Sequence, residues 1–154
     1  MPMKMRYTEG TWFAVPLRNG GFANGVVARS KKGAVLGYLF GPERNAIPEL
    51  SEVIHQTPSN AIAARVFGDL ELVRGNWPII GQSQLWKRED WPMPIFVRRE
   101  PFTSRIFKVY RSDTNPNHVE KEELVSSEEE VLGLQTDSLS GAGAIEKILT
   151  KLLS

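Results

Sequence analysis

The first hundred residues alternate between short apolar runs and breaks marked by glycine or proline, the pattern of strands joined by tight turns. "TWFAVPL" (Thr11 to Leu17) and "FANGVVARS" (Phe22 to Ser30) flank "RNGG". Asn19-Gly20 there predicts a hairpin, because a type I′ turn needs positive φ at both central residues. "AVLGYLF" (Ala34 to Phe40) follows through Lys31-Lys32-Gly33, which predicts a second hairpin and a three-stranded meander. Gly25 and Gly37 lie inside these strands, where glycine serves a bulge or a close backbone approach, so strong curvature is expected. "IPELSEVIHQ" (Ile47 to Gln56) predicts a short helix with Pro48 in its first turn, bounded by Pro58. Ala61 to Gln82 supplies two or three more strands, and "PIFVRRE" with "SRIFKVYR" (Ser104 to Arg111) a further pair.

Beyond residue 111 the pattern changes. Residues 112–138 are polar and acidic, which predicts a loop or weak helix. In "GAGAIEKILTKLLS", Ile145, Ile148, Leu149, Leu152 and Leu153 follow the i, i+3, i+4, i+7, i+8 spacing of one apolar helical face, with Ser140 as N-cap. Burying five aliphatic side chains at about 1.5–3 kcal/mol each is enough to dock this helix on its own domain, or on a second copy as a homodimer. The expected fold is mainly β (α+β): a small, strongly curved antiparallel sheet or barrel with one short internal helix and a C-terminal amphipathic helix. Its expected segments are a β-rich domain (1–111), an acidic loop or weak helix (112–138) and a docked helix (139–154).

A chain of 154 residues, 41% apolar, is long enough for one such core. It has no cysteine, which excludes disulfides, thiolate catalysis and cysteine-ligated zinc. The two histidines, His55 and His118, fall at a helix end and in a polar loop, away from any nucleophile pattern, so no catalytic residue, metal or cofactor is expected. No apolar run reaches the ~18 residues of a membrane span, and "MPMKMRYTEG" lacks the apolar region of a secretory signal, so the expected location is cytoplasmic. The net charge of +1 conceals an asymmetry: residues 1–45 carry seven Lys or Arg against two Asp or Glu, and residues 112–138 one against eight. Arg6, Arg18, Arg29, Lys31 and Lys32, with Trp12, Phe13, Phe22 and Tyr38 as stacking surfaces, would suit a small nucleic-acid-binding β-barrel module. A sequence pI of about 8.0 makes that basic footprint modest.

The most distinctive stretch is "GNWPIIGQSQLWKREDWPMPIF". Trp-Pro forces an extended conformation on Trp77 and Trp91, and Pro92-Met93-Pro94 forms a stiff arm, which suggests a lid of tryptophans over the open end of a barrel. With "EGTWFAVPLRNGGFANGVV" before it, the stretch resembles the immunity protein 26 family of bacterial polymorphic toxin systems: an opening G-x-x-F-A-x-P-L strand, a glycine-rich hairpin, W-x-x-I-G, then W-P-x-P-x-F. The matching residues are Gly10, Phe13, Ala14, Pro16, Leu17, Trp77, Ile80, Gly81, Trp91, Pro92, Pro94 and Phe96. The resemblance spans about Arg6 to Val97 and implies a non-enzymatic protein that binds and neutralises a cognate protein toxin made by the same cell. It brings no set of contact residues. Two surfaces are candidates on physical grounds: the tip Trp86, Lys87, Arg88, Glu89 and Asp90, with Trp86 as anchor, and the acidic run ending in Glu128, Glu129 and Glu130.

Overall fold

A computed structural model describes residues 7–137 and 139–154. β1 (Thr11–Pro16), β2 (Phe22–Lys31) and β3 (Ala34–Arg44) form the expected antiparallel meander, with Trp12 opposite Val26 and Val26 opposite Tyr38. The type I′ turn, however, belongs to the second hairpin. Lys31 pairs with Ala34 across a two-residue loop, and both loop residues, Lys32 and Gly33, have positive φ (47° and 85°). In the first hairpin five residues separate the Pro16–Phe22 pair, and only Gly20 (φ 96°) is left-handed. The Gly20 N–H donates to Leu17 O and the Leu17 N–H to Gly21 O, so Asn19-Gly20 closes a longer loop in which Gly20 alone supplies the reversal.

The chain continues through α1 (Leu50–Val53), a 3-10 helix at Pro58–Asn60, β4 (Ala63–Gly68), α2 (Leu70–Arg74), β5 (Ile79–Gln82) and a 3-10 helix at Arg88–Asp90. It ends with β6 (Ile95–Arg99), β7 (Ile106–Arg111), β8 (Val119–Val125), a 3-10 helix at Glu128–Val131, β9 (Gln135–Thr136), β10 (Leu139–Ser140) and α3 (Ala142–Leu153). The strands form two sheets with distinct edges, in the orders β10-β4-β3-β2-β1-β5 and β8-β7-β6-β9. The fold is mainly β, and of the sheet-or-barrel alternatives the strand orders describe sheets.

Local chemistry accounts for two departures from expectation and decides one open alternative. The helix expected over 47–56 is a single turn, because Pro48 lies outside it and Glu49 is its N-cap, with the Glu49 N–H donating to Glu52 Oε1 (2.9 Å). Of the two or three strands expected over 61–82 there are two, β4 and β5, with the turn α2 between them, ended by Gly75 in the left-handed region (φ 82°). The acidic stretch expected to be loop or weak helix contains β8. Its carboxylates have cross-strand partners: Glu123 lies opposite Lys108, Arg98 makes a forked bond to Glu122 (3.1 and 3.0 Å), and Lys121 sits 5.0 Å over the Tyr110 ring.

Strict alternation along β1 to β4 buries the larger sheet on both faces. One face carries Phe13, Val15, Val27, Val35, Leu39 and Phe67 beneath Leu72, Trp77, Ile145 and Leu149, so α2 and α3 form that layer. Gly25 and Gly37 lie on it, and a Cβ there would come 2.7 Å from Phe13 Cζ and 2.6 Å from Phe67 Cε1. Those glycines are the floor on which the rings rest. The other face carries Trp12, Val26, Leu36, Tyr38 and Phe40 beneath Val53, Trp91, Phe96 and Val109, so the smaller sheet covers it. β9 and β10 tie the layers together. β9 adds in parallel to β6 and β10 in parallel to β4, while the Gln135 side chain accepts from the Ala64 N–H (3.0 Å) and Arg65 (2.7 Å). α3 docks on its own chain through Ile145 and Leu149, both fully buried, whereas Leu152 is 52% exposed; its N-cap is Gly141, not Ser140.

Candidate partner-binding site

The tryptophans do not form one lid. Trp77 and Trp91 lie on opposite faces of the larger sheet. Trp77 stacks on Phe13 (5.8 Å between centroids, 11° between planes) and donates from Nε1 to Glu146 Oε2 (2.8 Å), while Glu146 Oε1 meets Arg18 (3.2 Å). Trp91 packs edge-on against Trp12, Phe40 and Tyr38 and face-on against Trp86 (5.2 Å, 20°). The Tyr38 hydroxyl donates to Pro92 O (2.6 Å), anchoring the proline arm; burial pushes its pKa up to about 12 against the pull of Arg29. The remaining motif residues serve the same packing. Gly10 (φ 90°) lets Trp86 approach so closely that a Cβ would lie 2.8 Å from its Cγ, Gly81 lies under Leu50, and Phe96 is buried.

From this anchored arm the chain projects its charged tip. Arg88 is used within the molecule: its Nε donates to Glu9 Oε1 (2.9 Å), and its terminal nitrogens hold the Asp113 carboxylate and carbonyl. Arg29, with 3% of its side chain exposed, donates to Asp113 Oδ1 (2.9 Å) and completes the network. Of the five tip residues, then, Trp86 is half-buried, Arg88 is engaged, and Lys87, Glu89 and Asp90 are exposed without an ion pair among the described residues. Nothing in the sequence signalled Glu9, Arg29 and Asp113, because they reach Arg88 across 79, 59 and 25 positions.

Beside the tip lies an open groove of about 530 Å³ whose floor and walls include Trp12, Trp86 and Trp91, Ile54 to Pro58, Ser83, Leu85, Lys87 and Asp90. Leu85 stands at its rim, 83% exposed. The indole N–H groups of Trp12 and Trp86 are both buried without a hydrogen-bond partner. So is Asn24 Oδ1, whose amide nitrogen donates to Gln56 Oε1 (2.6 Å) on the groove wall.

The acidic candidates are less available. Glu128 takes a forked bond from Arg99 (2.9 and 2.8 Å), which holds its carboxyl below its usual range. Glu130 Oε2 accepts from the hydroxyl and N–H of Ser126 and the N–H of Ser127, capping its own turn. Glu129 and Glu120 are exposed and make no ion pair among the described residues. Of the stacking surfaces of the nucleic-acid alternative, Trp12, Phe13 and Tyr38 are 1%, 0% and 6% exposed and only Phe22 is half-buried, while Arg29 is sealed with Asp113. Arg6 lies outside the described residues. No group of three or more His, Asp or Glu among the described residues is placed to hold a metal, and no helix among them is long and apolar enough to cross a membrane.

The geometry thus leaves a packed scaffold with a tip anchored through Trp86 and Arg88 beside an open groove, and the same residues carry the comparison with known proteins. The chain matches the Immunity protein 26 family over residues 8–108, from just before β1 to the middle of β7. It belongs to that family. No curated protein and no solved structure matches it. Within this member of the Immunity protein 26 family, the tip and groove lie inside the matched residues, whereas β8, β9, β10 and α3 lie beyond them.

Proposed function

We propose that the chain is a non-enzymatic immunity protein that binds and neutralises a cognate toxin polypeptide inside the cell that makes it. Membership of the Immunity protein 26 family carries this reading. The tip supports it physically: a surface locked by four charged groups before contact loses little conformational freedom on binding. The carboxylates of β8 and the following turn would hasten encounter with a basic toxin surface. The test is a calorimetric titration of the purified chain into the toxic domain encoded beside its gene, with that domain's activity assayed in parallel. One-to-one binding with loss of toxic activity is expected. A toxin that stays active and unbound at tens of micromolar chain overturns the reading.

A further inference from the structure

We infer that Asn19, in the loop between β1 and β2, is a self-modification site: the Gly20 backbone nitrogen attacks its side-chain carbonyl, and the resulting aspartate or isoaspartate loosens the seat of α3. The chain contains two Asn-Gly pairs, Asn19-Gly20 and Asn24-Gly25, and the fold treats them in opposite ways.

The chemistry requires little. The glycine nitrogen loses its proton and bonds to Asn Cγ, the bond from Cγ to the side-chain nitrogen breaks, and ammonia leaves a cyclic succinimide. Water then opens that ring at either carbonyl, to aspartate or to isoaspartate. Water is consumed, ammonia is released, and nothing is oxidised or reduced. Glycine favours the attack because it carries no Cβ to obstruct it.

Asn19 meets these needs. It and Gly20 are exposed, and a Cβ built on Gly20 would meet nothing within 4 Å, so the approach is open. Asn19 Oδ1 accepts from the Gly21 N–H (3.3 Å), which polarises the carbonyl under attack. Its Nδ2 has no protein partner among the described residues, so the leaving group is unrestrained. One bond holds the nucleophile, from the Gly20 N–H to Leu17 O (3.1 Å), and it lies in an exposed turn where such bonds open by local fluctuation. Asn24 lacks this freedom. It is 0% exposed, its Nδ2 donates to Gln56 Oε1 (2.6 Å), and Gly25 sits in the ladder between Phe13 and Leu39. Only wide opening of the sheet lets that pair react.

The position of the loop gives the modification its consequence. The Arg18 N–H donates to Thr150 Oγ1 (2.9 Å), and its guanidinium reaches Gly143 O (3.3 Å) and Glu146 Oε1 (3.2 Å), so this loop carries α3. Isoaspartate routes the backbone through the former side chain, inside the loop that the Leu17–Gly20 and Leu17–Gly21 bonds close. Either product sets a carboxylate beside Gly21, against which the Glu43 side chain already packs. Both effects shift Arg18 away from α3.

The test incubates the purified full chain at neutral and mildly alkaline pH, in buffer and in urea, and reads each asparagine by peptide mass spectrometry. In buffer Asn19 is expected to convert about tenfold or more faster than Asn24, at a rate that rises with hydroxide; in urea the two should convert alike. Hydrogen exchange of the α3 amides reads the consequence. Aged parent chain should exchange faster there than fresh chain, whereas Asn19→Ser, whose hydroxyl can serve the turn but cannot form the ring, should age without change. An Asn19 that stays intact in buffer while converting in urea overturns the site, as does an Asn24 that keeps pace with it in the folded chain. Conversion at Asn19 with α3 exchange unaltered, or equal loosening in aged Asn19→Ser, overturns the link to α3.

Discussion

Asp113 shows how much of the tip depends on one carboxylate. Burial pushes its pKa up, but the hydrogen bonds from Arg88 and Arg29 outweigh that and leave it below 3.8. A group depressed in the folded state stabilises above its unfolded pKa, and that contribution fades as pH falls through the folded value. Asp113→Asn should therefore lower the melting temperature at pH 7, and the gap between variant and parent should close as pH falls below the ordinary carboxylate range; a gap that stays constant into strong acid would show that the network contributes no pH-dependent stability. At the opposite extreme of burial, Gly25→Ala should cost about 1–3 kcal/mol in a urea titration, since a methyl would meet Phe13 Cζ, Leu39 Cδ2 and Tyr38 O within 3 Å. An unchanged midpoint would mean that the ring can move aside.

Among the elements, α3 divides its apolar positions unequally. Leu149→Ala should destabilise by about 2–5 kcal/mol and Leu152→Ala by no more than about 0.5, measured by thermal or urea unfolding. Equal effects would mean that the helix is held by its whole stripe. The meander, the β6–β7 pair and this helix were legible because each rests on local periodicity and turn residues. The turn types were not, because loop length sets them and strand ends are the least certain part of a sequence pattern. β8 was hidden for a different reason: its strand character resides in Arg98, Lys108 and Tyr110 on other strands, not in its own composition. For the same reason the motif of tryptophans and prolines was readable as structure, while the groove it encloses was not. Ile54 to Pro58 reaches Trp86 only through the fold.

At the scale of the whole molecule, the carboxylates gather in residues 112–138, which carry eight Asp or Glu against one Lys. Among the described residues, Glu120 and Glu129 are exposed carboxylates without ion pairs, so on the proposed reading the double variant Glu120→Lys, Glu129→Lys should slow association with the toxin and flatten its dependence on salt, with little change in dissociation. Stopped-flow rates at low and high ionic strength check this; identical salt slopes would remove steering from the account. The layers themselves are closed by segments beyond the family's matched residues, β8 on β7, β9 on β6 and β10 on β4. That arrangement has a consequence for how the chain is made. A nascent chain grows from its N-terminus, so the strands of the family core leave the ribosome with the edges of β4 and β6 still bare and Trp77 uncovered until Gln135 to Leu149 emerges. Protection therefore waits for the 135–149 segment, so a chain halted before it exposes both bare edges and Trp77 together.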